Sequence, residues 1–180
     1  MMPEKQHVVK DSAPGWSPAG EAFTAFLMRV FPLNDRLSAA GEAIAAVGGQ
    51  TLARWLVLEQ IQDQPATVAD IARAIGHARQ GIQRLAEALV GSGAASYEDN
   101  PRHRRASLLR ITPGGLASLR DIQHAQRAWA DRIGTELGQG DLEQASRVLD
   151  RALQAVARNL LSARVLRRPR LGWPAILTSY

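Results

Sequence analysis

The sequence predicts a mainly α-helical protein with one small β-hairpin, and three observations support this fold class. Apolar residues recur at helical spacing along most of the 180 residues. Two short extended segments, 94–98 and 106–111, flank a polar loop, which is the pattern of a hairpin. The hydrophobic fraction of 46% and the charged fraction of 22% are ordinary for a globular protein that buries a core.

The composition argues against several classes of protein. The chain has no cysteine, which rules out disulfides and thiolate zinc sites. No apolar run approaches the length of a membrane span, and Met1–Lys10 lacks the apolar part of a signal peptide, so we expect a cytoplasmic protein. The four histidines lack metal-ligand spacing, and no motif for catalysis or phosphate binding stands out. We therefore predict no metal, no cofactor and no enzymatic activity.

The first half of the chain begins with a loose arm and a long helix. Residues 1–17 mix Pro, Gly, Ser and charge, and we expect a flexible arm there. Residues 18–50 form a long helical segment that Ser17 and Pro18 begin and that Pro32 should kink or interrupt. Residues 51–111 follow as a compact domain, in which Thr51 and Thr67 each cap a helix.

The second half consists of two long helices and a basic tail. Thr112 and Pro113 open a helix that Gly138 and Gly140 end. Asp141, with Gln144 three residues later, predicts a capping box at the start of the last helix. Residues 112–165 therefore form C-terminal dimerisation helices, whose apolar stripes we interpret as a dimer core. The tail, 166–180, could contact DNA, pack on a partner subunit or stay disordered.

A helix-turn-helix motif lies within residues 67–90. Ala72 supplies the small residue needed where two helices cross, and Gly76 supplies the turn. Ile82, Leu85 and Leu89 form the stripe that faces back onto the first helix. Packed helices of other proteins can match this spacing by chance, so the motif alone does not establish DNA binding.

The outward face of the second helix carries side chains that can read bases. Arginine bonds to guanine and glutamine to adenine in the major groove, and four such residues stand at the start of this helix: Arg79, Gln80, Gln83 and Arg84. The alternative is a solvated polar face, but the first acid, Glu87, comes a full turn later. Gly81 is costly inside a helix, which suggests close approach of DNA or of the preceding helix.

The loop of the hairpin is strongly basic. Residues 70–111 carry seven arginines against four acids, a net charge of +3. Like charges at a hairpin tip repel one another, yet they suit insertion into a minor groove. The tip consists of Arg102, His103, Arg104 and Arg105. A helix-turn-helix followed by a basic hairpin predicts a winged helix-turn-helix, flanked here by the long dimerisation helices.

The run from Thr51 to Ile122 resembles the DNA-binding domain of the MarR family. The segments that carry the resemblance are TLARWLVL at 51–58, TVADIA at 67–72, RQGIQRL at 79–85, NPRHRR at 100–105 and LRITPGG at 109–115. The resemblance implies that Arg79, Gln80, Gln83 and Arg84 contact the major groove, that wing arginines reach the minor groove, and that the first and last two helices form a dimer. We also assign Thr67 to the DNA backbone. Many members have Asp where His103 stands, so the wing geometry here has another basis.

These observations predict a regulator of transcription that binds double-stranded DNA. We expect a homodimer on a pseudo-palindromic operator, acting as a repressor that a small aromatic or anionic effector releases. Trp16, Trp55 and Trp129 could line an effector cavity or simply belong to the core. Two alternatives remain open. One is a dimeric winged-helix module that binds proteins, and the other is an activator without an effector.

Overall fold

The computed structural model describes residues 17–101 and 106–162. Over these residues the chain forms six helices and three short strands, and it divides into two compact units between Gln126 and Arg127. The N-terminal arm and the basic tail of the sequence analysis lie outside the described residues, as does the hairpin tip. No helix in the described part of the chain is long and apolar enough to cross a membrane.

Helix α1 spans Pro18–Val47 and begins as the sequence predicts. The Ser17 hydroxyl accepts a hydrogen bond from the Gly20 amide at 3.1 Å, and Pro18 occupies the first turn. The predicted interruption at Pro32 is wrong, because the helix continues through it. Proline removes one backbone hydrogen bond, and Pro32 is exposed, so water can satisfy the carbonyl that loses its partner.

Helices α2 (Leu52–Gln60), α3 (Val68–Ile75) and α4 (Arg79–Gly91) form the centre of the first unit. The side chains of Thr51 and Thr67 cap α2 and α3, as predicted. Glu42 of α1 also accepts a hydrogen bond from the Leu52 amide at 3.0 Å, which ties α1 to the start of α2. The largest fully buried side chains of this core are Val57, Leu58, Ile61, Ile71, Ile82, Leu89, Leu109, Leu119 and Ile122.

The hairpin belongs to a three-stranded antiparallel sheet with the order β1-β3-β2. Strands β2 (Ala95–Glu98) and β3 (Leu108–Ile111) are the predicted hairpin; they end where predicted and begin one and two residues later. Strand β1 (Ala66–Thr67), which pairs Ala66 with Leu109, was not predicted from the sequence. Two residues are too few to show the alternation of apolar and polar residues that marks a strand in a sequence. Strand β1 is therefore identified only by its pairing with β3. This strand fixes the start of α3 to the hairpin.

Helix α5 (Pro113–Leu137) is joined tightly to the hairpin. The Thr112 hydroxyl donates to the Gly93 carbonyl at 2.6 Å and accepts from the Gly115 amide at 3.1 Å. Gly115 is buried, and a Cβ there would collide with the Ala94 carbonyl oxygen. The Thr-Pro-Gly-Gly segment therefore joins α5 to the sheet through a threonine cap and a close backbone approach.

Helix α6 spans Gln139–Ser162 and begins earlier than predicted. Gly138 makes the turn with a φ of +81°, whereas Gly140 lies inside the helix and does not break it. The predicted capping box at Asp141 is wrong, because Asp141 already lies in the first turn of α6. Its carboxylate is still favourably placed there, since the helix dipole is positive at this end.

Candidate nucleic-acid interface

The turn between α3 and α4 has the geometry that the sequence predicts. Gly76 ends α3 in the left-handed conformation, with φ +69° and ψ 26°. The His77 amide then donates to the Ala72 carbonyl at 3.0 Å, which closes the turn. Ala72 itself is buried where the two helices meet. Helices α3 and α4 therefore form a helix-turn-helix.

The inner face of α4 differs in one position from the predicted stripe. Ile82 and Leu89 are fully buried, as predicted. Leu85 is only half-buried, and Ala86 is fully buried instead. The small Ala86 side chain allows a close approach to the core, while Leu85 lies at its edge.

The outer face of α4 is polar and positively charged at its start. Arg79, Gln80 and Arg84 are exposed, whereas Gln83 is half-buried. Ala78 precedes the helix without a side-chain cap, and no acid stands in the first turn. The first backbone amides of α4 therefore point outward with the positive end of the helix dipole, beside two arginines. This end of the helix suits an anionic partner.

Gln83 is tied to the hairpin by hydrogen bonds. Its Nε2 donates to Oε1 of Glu87 at 2.8 Å and to the hydroxyl of Tyr97 at 3.2 Å. Tyr97 lies on β2 and is 39% exposed. Neither hydrogen bond was predicted from the sequence. The contact with Glu87 was predictable from the spacing of four residues on one helix, whereas the contact with Tyr97 depends on the tertiary fold.

Thr67 caps α3 through a reciprocal pair of hydrogen bonds with Asp70. Its hydroxyl donates to Oδ2 of Asp70 at 2.7 Å and accepts from the Asp70 amide at 3.2 Å. Asp70 also forms an ion pair with Arg73 at 2.9 Å. The hydrogen bond from Thr67, followed by that from Arg73, lowers the pKa of the Asp70 carboxyl below its usual 3.8. Asp70 therefore stays ionised at neutral pH and holds the Thr67 hydroxyl hydrogen.

Gly81 lies on the open side of α4. A Cβ at this position would meet nothing within 4 Å among the described residues. The prediction that Gly81 allows close approach of the preceding helix is therefore wrong, because that side of the residue faces open space. The other explanation in the sequence analysis, an approach by DNA, stays a prediction.

The hairpin stem is held by a cross-strand ion pair. Arg110 of β3 donates through Nη2 to Oε1 of Glu98 on β2 at 3.0 Å, and its Nε donates to the other carboxylate oxygen. This bidentate contact raises the pKa of the Arg110 guanidinium. The predicted wing contacts, Arg102, His103, Arg104 and Arg105, lie outside the described residues. The stem lies beside α4, since Tyr97 of β2 accepts a hydrogen bond from Gln83 of α4.

Two further features of the first unit bear on ligands. Trp55 is buried and donates through Nε1 to Glu59 at 2.8 Å, so it is a core residue. A cavity of about 650 Å³ lies beside the start of α3, lined among others by Gln60, Gln64 and Asn100. Within the described ranges, no group of three or more His, Asp or Glu side chains could hold a metal ion.

The fold and the face of α4 define a class of protein. The first unit is a winged helix-turn-helix, in which β2 and β3 form the stem of the wing. A family model described as MarR family matches residues 49–106, which include α2 to α4 and β2 and end just before β3. Uncharacterized proteins of Mycobacterium tuberculosis and Mycobacterium bovis are 43% identical to the chain over 93 residues. This alignment spans 52% of this chain and 65% of the length of those relatives.

Solved structures have the same fold at lower sequence identity. A MarR family transcription regulator is 22% identical, with a TM-score of 0.70, over 79% of this chain and 94% of its own. A cysteine-to-serine mutant of MarR from E. coli, complexed with operator DNA, is 16% identical, with a TM-score of 0.67, over 76% and 99%. Staphylococcus aureus MarR, in complex with salicylate and kanamycin, is 17% identical, with a TM-score of 0.63, over 78% and 93%. The chain thus matches the MarR family model over residues 49–106, and it has the fold of the solved MarR transcriptional regulators.

Proposed function

We propose that this protein is a sequence-specific regulator of transcription that binds double-stranded DNA through α4. The observation that carries this proposal is the exposed start of α4, where Arg79, Gln80 and Arg84 project from a helix-turn-helix without an acid in the first turn. The start of a recognition helix is the part that reaches base edges in the major groove. We propose that it acts in the cytoplasm, where it meets the DNA, and that it needs no catalytic site.

The wing and the start of α3 belong to the same proposal. Arg102, His103, Arg104 and Arg105 would reach an adjacent minor groove from the hairpin, whose stem packs beside α4. Thr67 would contact the DNA backbone at the start of α3. A phosphate only accepts hydrogen bonds, so Thr67 must turn its hydroxyl hydrogen away from Asp70 to make that contact. The E. coli protein of the same fold was solved in complex with operator DNA, which supports DNA binding by this fold.

A homodimer would bring two such helices onto one operator. Helix α6 exposes an apolar row at a spacing of seven residues, formed by Leu142, Leu149 and Val156, with Leu153 beside it at 69% exposed. Exposed apolar rows of this spacing are typical of helices that pair with another helix. A symmetric dimer would place its recognition helices about 34 Å apart, one turn of DNA, and so fit a pseudo-palindrome.

The regulation that we propose is repression released by a small molecule. Staphylococcus aureus MarR, which has the same fold, was solved in complex with salicylate and kanamycin, and this supports the binding of a small molecule here. An effector that favours a dimer shape unsuited to the operator would weaken DNA binding, and DNA would weaken effector binding by the same factor. An activator without an effector would bind DNA through the same residues, and it would show no such coupling.

Substitution of Arg84 tests the proposal. We expect Arg84→Ala to lower affinity for a selected duplex by about 5- to 150-fold, the value of one bidentate base contact. Arg120→Ala is the matched control, since it removes another exposed arginine, from α5 of the same unit. The measurement is fluorescence anisotropy at fixed salt, with a scrambled duplex beside the selected one.

Three results would change the conclusion. Equal losses in Arg84→Ala and Arg120→Ala would indicate binding through overall charge alone. Equal affinity for selected and scrambled duplexes would contradict sequence-specific recognition. Binding of a protein partner by a chain without any DNA affinity would favour the alternative of a protein-interaction module.

A further inference from the structure

The side-chain amide of Gln83 is held between two partners on different elements. Glu87 lies one turn further along α4, at 2.8 Å from Nε2, and Tyr97 lies on β2, at 3.2 Å. We call these three residues the seam cluster, because they lie where α4 meets the wing stem. Gln83 shares a face of α4 with the exposed Gln80, three residues earlier, and the exposed Arg84 is the next residue along the helix.

The chemistry of Glu87 fixes which way the amide of Gln83 faces. An ionised carboxylate can only accept hydrogen bonds, so the atom beside it must be the amide nitrogen. That nitrogen carries two hydrogens, one for Glu87 and one for the Tyr97 oxygen. Both donors of Gln83 are therefore used inside the domain. Its Oε1 still has lone pairs for an outside partner, and the Tyr97 hydroxyl keeps its own hydrogen to donate.

We infer that Gln83 reads DNA as an acceptor only and therefore selects bases that carry an amino group in the major groove. This inference rests on the proposed function. Adenine and cytosine present amino groups there, at N6 and N4, whereas guanine and thymine present keto oxygens that would repel Oε1. The two-bond contact that singles out adenine also needs a donor for N7. Gln83 has no donor left for that bond, so it does not distinguish adenine from cytosine.

Glu87 and Tyr97 are positioning residues in this account. They determine base preference through Gln83, by keeping its two amide hydrogens away from the base. Releasing both hydrogens converts Gln83 into a donor and acceptor pair, which fits adenine better than cytosine. The composition of the seam cluster thus sets the specificity of one operator position per half-site.

The experiment compares base preferences selected from a random duplex pool. Gln83→Ala first identifies the position that Gln83 reads, as the one that loses its preference. At that position the wild-type protein is expected to accept adenine and cytosine within about fivefold of each other and to disfavour guanine and thymine. The double variant Glu87→Ala with Tyr97→Phe is expected to favour adenine over cytosine by about fivefold or more.

Glu87→Gln tests the role of the carboxylate, because an amide at position 87 can donate to Gln83 as well as accept from it and no longer fixes which way the Gln83 amide faces. It is expected to broaden the wild-type preference, whereas Arg120→Ala, a substitution on α5, is the matched control and is expected to retain that preference. Three results would each overturn the inference while leaving the proposed function intact. The first is a wild-type preference for adenine alone, and the second is an unchanged preference in the double variant. The third is the absence of any operator position whose preference changes in Gln83→Ala. A wild-type protein that selects no consensus at all would overturn both. The wild-type and Gln83→Ala results test the inference even if the double variant is too unstable to assay.

Discussion

At the scale of single residues, the candidate interface is shaped by hydrogen bonds formed within the domain. The Thr67 hydroxyl donates its hydrogen to Asp70, and the Gln83 amide donates to Glu87 and Tyr97. Arg79, Gln80 and Arg84 are instead exposed. The residues of the interface therefore differ in the freedom with which they can meet a base or a phosphate, although the sequence alone presents them as one polar face.

Gly81 provides a prediction at this scale. A methyl group at position 81 meets nothing in the domain, so Gly81→Ala should stabilise the fold by up to about 1 kcal/mol through better helix propensity. If the DNA backbone or a base edge approaches this side of α4, the same methyl group should weaken binding by about tenfold or more. Chemical denaturation and duplex titration of one preparation measure the two effects.

Gly140→Ala is the matched control for Gly81→Ala, because Gly140 is also an open glycine inside a helix, but on α6. It should stabilise the protein similarly and leave the affinity for DNA unchanged. A Gly81→Ala protein that is more stable and binds DNA as tightly as the wild type would contradict the close approach of DNA to this position.

At the scale of elements, the junction between the wing and α5 depends on one glycine. A Cβ at Gly115 would collide with the Ala94 carbonyl, whereas a Cβ at Gly114 would have only ordinary contacts at 3.6 Å. We expect Gly115→Ala to lower the free energy of unfolding by about 2 kcal/mol or more, because backbone must move to admit the methyl group. Gly114→Ala should change it by much less. Thermal and urea unfolding compare the two, and equal effects would contradict the close approach.

The elements also show where sequence patterns predict structure well. Capped and strongly periodic helices were predicted closely, since Thr51, Thr67 and Gly76 act locally and their roles are visible in the sequence. The helix-turn-helix follows from the same local signals. A pattern of apolar residues and caps therefore predicts this domain to within a residue or two at most boundaries.

The features that the sequence did not predict depend on contacts between distant residues or on close competition between local signals. Strand β1 exists because Ala66 pairs with Leu109, and Tyr97 reaches Gln83 only after the hairpin packs beside α4. The sequence contains three possible starts for α6, namely two glycines and a capping motif. In the structure Gly138 adopts the left-handed conformation, and α6 begins directly after it. Proline at position 32 was tolerated because that stretch of α1 is exposed.

At the scale of the whole molecule, the proposed regulation depends on a second copy of the chain. The apolar row on α6 provides the most direct test. We expect Leu149→Glu to raise the dimer dissociation constant by about tenfold or more, because the carboxylate would be buried against an apolar partner. Gln154→Glu introduces the same charge at an exposed polar position of α6 and should leave dimerisation unchanged. Analytical ultracentrifugation over a range of concentrations measures both.

Loss of dimerisation should also weaken operator binding, because each monomer would then hold a single half-site. A Leu149→Glu protein that remains as dimeric as the wild type would contradict the assignment of this row to the interface. A wild-type protein that is monomeric at the concentrations that saturate its operator would contradict the homodimer itself.

The central claim is that the chain reads a DNA sequence, and selection of bound duplexes from a random pool tests it most directly. Affinity for the selected duplex is then measured at two salt concentrations. We predict a pseudo-palindromic consensus with half-sites about 10 base pairs apart and an affinity that falls steeply as salt rises, because arginines release counterions from the phosphates. Binding without any consensus, at any salt concentration, would contradict the claim and leave only contacts with the DNA backbone.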